Sequence, residues 1–369
     1  MSVLGINGEQ RGEGSVACSR TQAYIHGAAV IASWRDASRS LTDLIFDGVS
    51  AALADAGMPI TKVDSIVLSA HDLIDGRSLS SMVTGPAAGA YMRDEIRLSE
   101  DGLVAASLGA ARIEAGESDF TIVAAWGRAS EGDLLAVSRA GFDPFLQQPF
   151  GLSDMEVSAF RLSRWMGRHG DGSGARAQAA RIRRDRAGVN RMALHADTGD
   201  RHESFPLRPG EGPRRGDMMA AMVIGSAPSS VRISGVGHGT DATVIGDRDL
   251  LAMPALTAAA RAALSGAGIG PGDIGLFEID GMTLADEALA LEALGLCLPG
   301  EGFRLLAADQ INPSGGSEAG WCYPAMGLVR LIECYNRLSG SDGAPRRALA
   351  TGFGAGGAQT ATAMILEAT

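Results

Sequence analysis

The chain has 369 residues, 46% of them hydrophobic and 20% charged, with a formal net charge of -11. That is enough apolar material for one large core or two fused ones, and it argues against intrinsic disorder. The acidic balance excludes a general nucleic-acid binder, whose phosphate contacts need surplus Lys and Arg, so an anionic ligand must meet a local basic patch.

Residues 1–21 form a polar, glycine-containing tail without the apolar core of a signal peptide, and every longer apolar stretch is broken by Arg, Asp or Gly. The expectation is a cytoplasmic protein with no membrane span. Next comes a unit that occurs twice. Ala51-Ala52-Leu53, Ala56-Gly57-Met58 and Val63 recur as Ala262-Ala263-Leu264, Ala267-Gly268-Ile269 and Ile274 at a constant offset of 211. Each copy reads as an amphipathic helix ending at a glycine, a short turn, and a strand, at 65–68 and 275–279. A second echo links Gly102-Leu103-Val104 to Gly327-Leu328-Val329. Both open helices of about four turns that lead to strands at 120–125 and 347–351. Strands alternating with helices imply crossover units and sheets covered on both faces. The stretch from about 130 to 217 differs: it is irregular and rich in Gly, Pro and Arg, with one helix predicted at 175–187. From 161 to 191 it carries nine arginines against two aspartates. Cys18, Cys297, Cys322 and Cys334 show no metal-ligand spacing, so they read as free thiols and no metal site is expected.

Residues 312–327 read Asn-Pro-Ser-Gly-Gly-Ser-Glu-Ala-Gly-Trp-Cys-Tyr-Pro-Ala-Met-Gly. This resembles the C-terminal active-site loop of thiolases, Asn-Pro-x-Gly-Gly, a spacer, then Gly-His-Pro-x-Gly-Ala-x-Gly, with Trp321 in the place of the histidine and the spacer one residue short. Asp72-Leu73-Ile74-Asp75-Gly76-Arg77 and Leu291-Glu292-Ala293-Leu294-Gly295 are similar to the sterol-carrier type of thiolase. The resemblance runs from about Tyr24 to the end. It implies a five-layered α/β/α/β/α fold of two duplicated halves, the N-terminal one over 22–130, a loop-domain insertion over 131–217, and the C-terminal one over 218–369.

The resemblance also places the catalytic positions. The nucleophilic cysteine falls at Ser99, counted back from Ala115-Gly116-Glu117-Ser118-Asp119. By its residues alone, Leu98-Ser99-Glu100-Asp101-Gly102 reads sooner as a helix N-cap, with acids in the first turn that suit the helix dipole. The residue that orders an oxyanion-hole water falls at Ile279, followed by a retained Asp280, and the second cysteine falls near Gly352. All four familiar side chains are thus absent. What the resemblance leaves is backbone: Gly352, Gly354, Gly356 and Gly357 near the start of the Ser99 helix, whose amides could receive a thioester carbonyl, or which serve as turn and packing residues.

The ligand implied is a coenzyme A thioester, as substrate or bound molecule, with no covalently bound cofactor. Arg181, Arg183, Arg184 and Arg186 of the insertion are read either as meeting its phosphates or as a solvated, subunit-facing helix. Three functions stay open. One is a retro-aldol lyase or acyltransferase in lipid metabolism, using Tyr323, Cys322, Glu318, Asp280 or His71. The second is a non-catalytic acyl-CoA-binding subunit of a heteromeric complex. The third is an acyltransferase with Cys322 as nucleophile. The resemblance further implies a homodimer, or a heterodimer with a related chain, built on N-half edge strands with 120–125 at or beside the edge, and allows a small OB-fold acyl-CoA-binding protein as partner.

Overall fold

The computed structural model describes residues 21–36, 38–76, 80–194, 204–340 and 343–369. Most of the N-terminal tail, Cys18, Arg77 and Ser78 lie outside them. The first half runs β1 (Tyr24–Ser33), α1 (Leu41–Asp55), β2 (Ser65–Ser69), α2 (Asp72–Asp75), α3 (Ser81–Ala87), β3 (Asp94–Leu98), α4 (Gly102–Glu114) and β4 (Phe120–Arg128). The insertion holds α5 (Leu134–Ala140), α6 (Asp154–His169) and α7 (Ser173–Val189), and is followed by β5 (Asp217–Gly225). The second half runs β6 (Val231–Thr240), α8 (Pro254–Ala267), β7 (Leu276–Glu278), α9 (Leu284–Ala293), α10 (Gly302–Leu305), α11 (Met326–Leu338), β8 (Arg347–Phe353) and β9 (Thr360–Ala368).

The repeat read from the sequence is structural. The turns after α1 and α8 pass through Gly57 at φ 61° and Gly268 at φ 68°, a left-handed conformation that glycine adopts without a Cβ clash. Short 3-10 turns at 60–62 and 271–273 follow, then β2 and β7. The strand order β3-β2-β4-β5-β1-β6-β9-β8-β7 contains the two halves end to end, joined where Tyr24 and Ile25 of β1 pair with Arg232 and Val231 of β6. Among its described residues the second half has no counterpart of β3; Ile311 sits there, bridged in parallel to Phe277.

Alternation along the strands builds the five layers. Ile66, Leu68, Ile122 and Ala124 face α1, while Val67, Val123 and Ala125 face the middle, where α4 and α11 lie together between the sheets. In the second half Ala348, Ala350, Met364 and Leu366 face that same middle layer, and Leu349, Ala363 and Ile365 face α8 and α9. β2, β4, β8 and β9 are therefore apolar on both faces, as a sheet covered by helices requires.

Two expectations change. Residues 217–225, placed by sequence at the end of the insertion and the start of the C-terminal half, form β5 between β4 and β1, so the first half takes them back and the second begins at β6. The strand at 120–125 lies inside the sheet, between β2 and β5; the edge is β3, whose acidic Asp94 and Glu95 are exposed.

Candidate functional site

The site forms where the start of α4, the loop before α11, the end of β8 and the first turn of α6 converge. Asp101, not Ser99, caps α4: its Oδ1 accepts from the Leu103 amide at 2.8 Å, and its Oδ2 from the Gly327 amide at 2.9 Å. A Cβ at Gly327 or Gly352 would come within 1.9 or 2.2 Å of Asp101 Oδ1, so glycine is the residue that lets α11 and β8 close on this carboxyl. Asp280, just past β7, accepts from the Phe353 and Gly281 amides at 3.1 and 2.8 Å. Both carboxyls are buried, and burial is the main force raising their pKa values. The charge of Asp280 adds to it at Asp101, which is pushed well above the usual range, while Asp280 is pushed up to about 6.

Tyr323 stands beside this pair. Its hydroxyl donates to the Ser99 carbonyl at 3.2 Å and faces the Ala355 amide. Burial first, then Glu100, Asp101 and Asp154, raise the phenol's pKa, so Tyr323 is held protonated and is placed to give a proton rather than take one. Asp154 opens α6 after the Ser153 cap. Its carboxylate accepts from Ser138 Oγ at 2.5 Å and from the Gly357 amide at 2.6 Å, and burial raises its pKa.

Two clefts meet at these groups. One, of about 510 Å³ counting its open mouth, is lined by Asp280, Phe353 and the 354–358 turn; the other, of about 690 Å³, is walled by Leu73, Ile74, Leu134, Leu135 and Val137. Asp154, Met282, Trp321, Tyr323 and Ala355 belong to both. Trp321 therefore lines the junction, and its indole N–H has no acceptor among the described residues. His71 lines the apolar cleft, with Nδ1 accepting from the Leu73 amide at 3.3 Å.

Several predicted site residues stand elsewhere. Ser99 is exposed and lines neither cleft, contributing only its carbonyl. Cys322 is fully buried, with its sulfur turned to β4: a Cβ at Gly127 would lie 2.6 Å from it. Burial pushes this thiol up to about 12, which removes the thiolate a nucleophile needs. Glu318 is buried against α7, 3.9 Å from Arg184, and lines neither cleft. The amides at the start of α4 are taken, Gly102 by the Pro324 carbonyl at 2.8 Å and Leu103 by Asp101. In the glycine turn, the Gly354 amide goes to Thr360 and the Gly357 amide to Asp154, while the Gly356 and Gly357 carbonyls accept from Arg248, and Gly357 also from Arg161. The Gly354 and Gly357 amides are therefore not open to a thioester carbonyl. Gly352 is a packing residue against Asp101.

The arginine run serves mostly as an internal clamp. Arg183 pairs with Glu287 at 3.1 Å and donates to the Gly210 carbonyl; Arg186 donates to the carbonyls of Leu306, Ala307, Ala308 and Ile311. Arg176 meets Glu211, and Arg161 meets Asp286, both buried. These contacts fasten α6 and α7 to α9 and α10. Arg181 and Arg184 alone of the four candidates are exposed. The Asp72–Asp75 motif is likewise structural: Asp75 accepts from Ser80 and from Trp126 Nε1, and Asp72 pairs with Arg97 at 2.7 Å.

Asp101 and Asp154 were not among the residues singled out from the sequence. By sequence Asp101 is only one of the acids that suit the dipole at a helix start, and Asp154 lies in the insertion, where only the Ser153 to Glu156 capping pattern marks it. Among the described residues no group of three or more His, Cys, Asp or Glu could hold a metal ion, and no helix is long and apolar enough to cross a membrane. Cys297, Cys322 and Cys334 are free thiols.

Residues 237–368 match the family model described as thiolase C-terminal domain-like. No curated protein matches the sequence. Among solved structures, one described as a Ltp2-ChsH2(DUF35) aldolase is 21% identical with a TM-score of 0.77, over 94% of this chain and 98% of that one. A monomeric SCP2-thiolase like protein type 1 from Mycobacterium smegmatis is 17% identical with a TM-score of 0.66, over 94% of this chain and 77% of that one. At these identities the likenesses show the fold. Residues 237–368 are thus similar to a thiolase C-terminal domain, and along nearly its whole length the chain has the fold of SCP2-thiolase-like proteins.

Proposed function

We propose that this chain cleaves a carbon–carbon bond in a β-hydroxyacyl-CoA thioester by retro-aldol chemistry at the junction of the two clefts. The observation that carries the reading is the pairing there of a protonated phenol, Tyr323, with a carboxylate, Asp154, while the one buried thiol nearby, Cys322, faces away. A nucleophile is not required for this reaction; a proton acceptor and a proton donor are. Asp154 takes the proton of the β-hydroxyl, whose C–O bond becomes a carbonyl. The Cα–Cβ bond breaks, its electron pair moves to Cα as a thioester enolate, and Tyr323 returns a proton to Cα. The products are a ketone or aldehyde and a shortened acyl-CoA. Trp321 Nε1, with no acceptor among the described residues, is the donor available to the enolate oxygen. An acyltransferase through Cys322 is not favoured, because its thiol is buried and protonated.

The solved structure with the higher TM-score is named for two components, Ltp2 and ChsH2, which supports a heteromeric partnership here; a small OB-fold acyl-CoA-binding protein remains a candidate for it. The unpaired edge of β3 supports a dimer with a copy or a related chain. The second reading, a non-catalytic acyl-CoA-binding subunit, draws on the raised pKa of the phenol, which makes Tyr323 a poor base. The test is product analysis after incubating the chain, alone and with candidate partners, with a β-hydroxyacyl-CoA. A shortened acyl-CoA with its matching carbonyl product, lost in Asp154→Asn and kept in Ser99→Ala, supports the lyase. Binding of the thioester without cleavage in any combination supports the subunit reading.

A further inference from the structure

Three residues of α6, Asp154, Ser158 and Arg161, stand at the i, i+4 and i+7 spacing that puts side chains on one helix face, and all three line the first cleft. Asp286, in the first turn of α9, lines the same cleft. Its Oδ1 accepts from Arg161 Nη1 at 2.9 Å, and its Oδ2 accepts from Ser158 and from the Thr283 amide and hydroxyl. The other prong of the guanidinium, Nη2, donates to the Gly357 carbonyl at 2.6 Å. Gly357 in turn gives its amide to Asp154. The peptide between Gly356 and Gly357 is held from its other end as well, because the Gly356 carbonyl accepts from Arg248 Nη1 at 2.8 Å. A donor on that carbonyl strengthens the N–H of the same peptide as a donor. A clamp between α6 and α9 needs only the ion pair; it does not need the guanidinium to reach the turn that binds Asp154.

The geometry points to Arg161 as a positioning residue for the carbon–carbon cleavage, an assignment that rests on Asp154 being the base as proposed above: the guanidinium fixes the Gly357 turn against Asp154 and sets a positive charge near its carboxylate, and Asp286 moderates that charge. A base must hold an ionised carboxylate when the β-hydroxyl arrives, and burial works against this. Burial is the largest influence on Asp154 and raises its pKa. The Ser138 hydroxyl, the Gly357 amide and the charge of Arg161 lower it, in that order, and the charge of Asp286 raises it by less than Arg161 lowers it. Arg161 and Asp286 thus act on the base with opposite sign, although both belong to one ion pair. The other charged or titratable groups around Asp154 are Arg248 from the segment before α8, Tyr323 from the loop before α11, Asp280 in the same cleft, and His71 and Arg215 in the apolar one. The variants below leave all of these in place.

The test follows the Asp154 carboxyl directly, by carbon NMR of the chain labelled at its aspartate carboxyls, with the signal assigned by its loss in Asp154→Asn. The pH profile of β-hydroxyacyl-CoA cleavage is measured beside it. Arg161→Met should move the titration midpoint of Asp154, and with it the acid limb of the cleavage profile, to higher pH, because a favourable charge is removed. Asp286→Asn should move both to lower pH. Arg161→Lys, which keeps the charge, should stay nearer the parent than Arg161→Met. A side chain that only holds α6 in place gives no reason for shifts of opposite sign. An unmoved midpoint in Arg161→Met, or shifts in the same direction in Arg161→Met and Asp286→Asn, would overturn the assignment. Should Arg161→Met fail to fold, Asp286→Asn decides: a lower midpoint upholds the assignment, and an unmoved or higher one overturns it. Should the parent chain cleave no β-hydroxyacyl-CoA with any candidate partner, it is the lyase reading that fails, and the NMR midpoints still decide whether Arg161 sets the charge state of Asp154.

Discussion

Replacing Arg183 by alanine should damage stability before it touches any ligand. Arg183 Nη1 lies 3.1 Å from both Glu287 Oε1 and Ser317 Oγ, and Nη2 donates to the Gly210 carbonyl at 3.2 Å. The two charged side chains are 4% and 0% exposed. Removing the guanidinium strands the Glu287 carboxylate in the interior, where breaking one side of a buried pair costs about 3–5 kcal/mol. The Ser317 amide and hydroxyl, at 2.9 and 3.0 Å, still donate to that carboxylate, which places the loss near the lower end of the range. A domain of ordinary stability holds only about 5–15 kcal/mol in total, so the urea midpoint should fall markedly. Arg183→Met combined with Glu287→Gln should recover much of the loss, because neither variant side chain is left charged. An alanine variant within about 0.5 kcal/mol of the parent, with coenzyme A binding lost instead, would refute the clamp and restore Arg183 as a phosphate ligand.

Three further outcomes follow from the same structure. Asp280 keeps its proton up to about pH 6 when folded, against 3.8 for the free group. Its contribution to stability is therefore full below the lower value and is lost as pH rises through the higher one, so Asp280→Asn should flatten that part of the stability–pH curve. Cys322 should resist iodoacetamide in the native chain and react on denaturation, and Cys322→Ala should retain turnover; rapid native labelling would contradict its burial. Sedimentation at micromolar concentration should show a dimer, with β3 at its edge, and a stable monomer would remove that expectation.

The sequence carried the fold because the fold is repetitive. The 211-residue offset relates local units, each a helix, a glycine turn and a strand, and local signals survive in a single chain. The loop at 312–327 and the strand end at Asp280 were legible for a similar reason, since short contiguous motifs hold them. The insertion was harder. Its helix predicted at 175–187 is α7, 173–189, but α5 and α6 carry no repeat and were unread. The meaning of an arginine there depends on which carboxylate meets it, and Arg183 finds Glu287 104 residues away. Asp154 has the same difficulty: what raises its pKa is burial against a turn that follows β8, more than 200 residues later. Ser99 was misplaced by two residues as a cap because Ser, Glu and Asp in succession all suit a helix start, and only packing against Gly327 and Gly352 selects Asp101.

The most direct test of the lyase account is single-turnover cleavage of a β-hydroxyacyl-CoA by the parent chain and by Tyr323→Phe, alone or with the partner that activity requires, with thioester affinity measured in parallel. If Tyr323 supplies the proton that completes the reaction, the variant should slow the chemical step by roughly 10²–10⁴-fold, the usual worth of a positioned acid, while affinity changes little. Cleavage by Tyr323→Phe at the parent's rate would contradict the account.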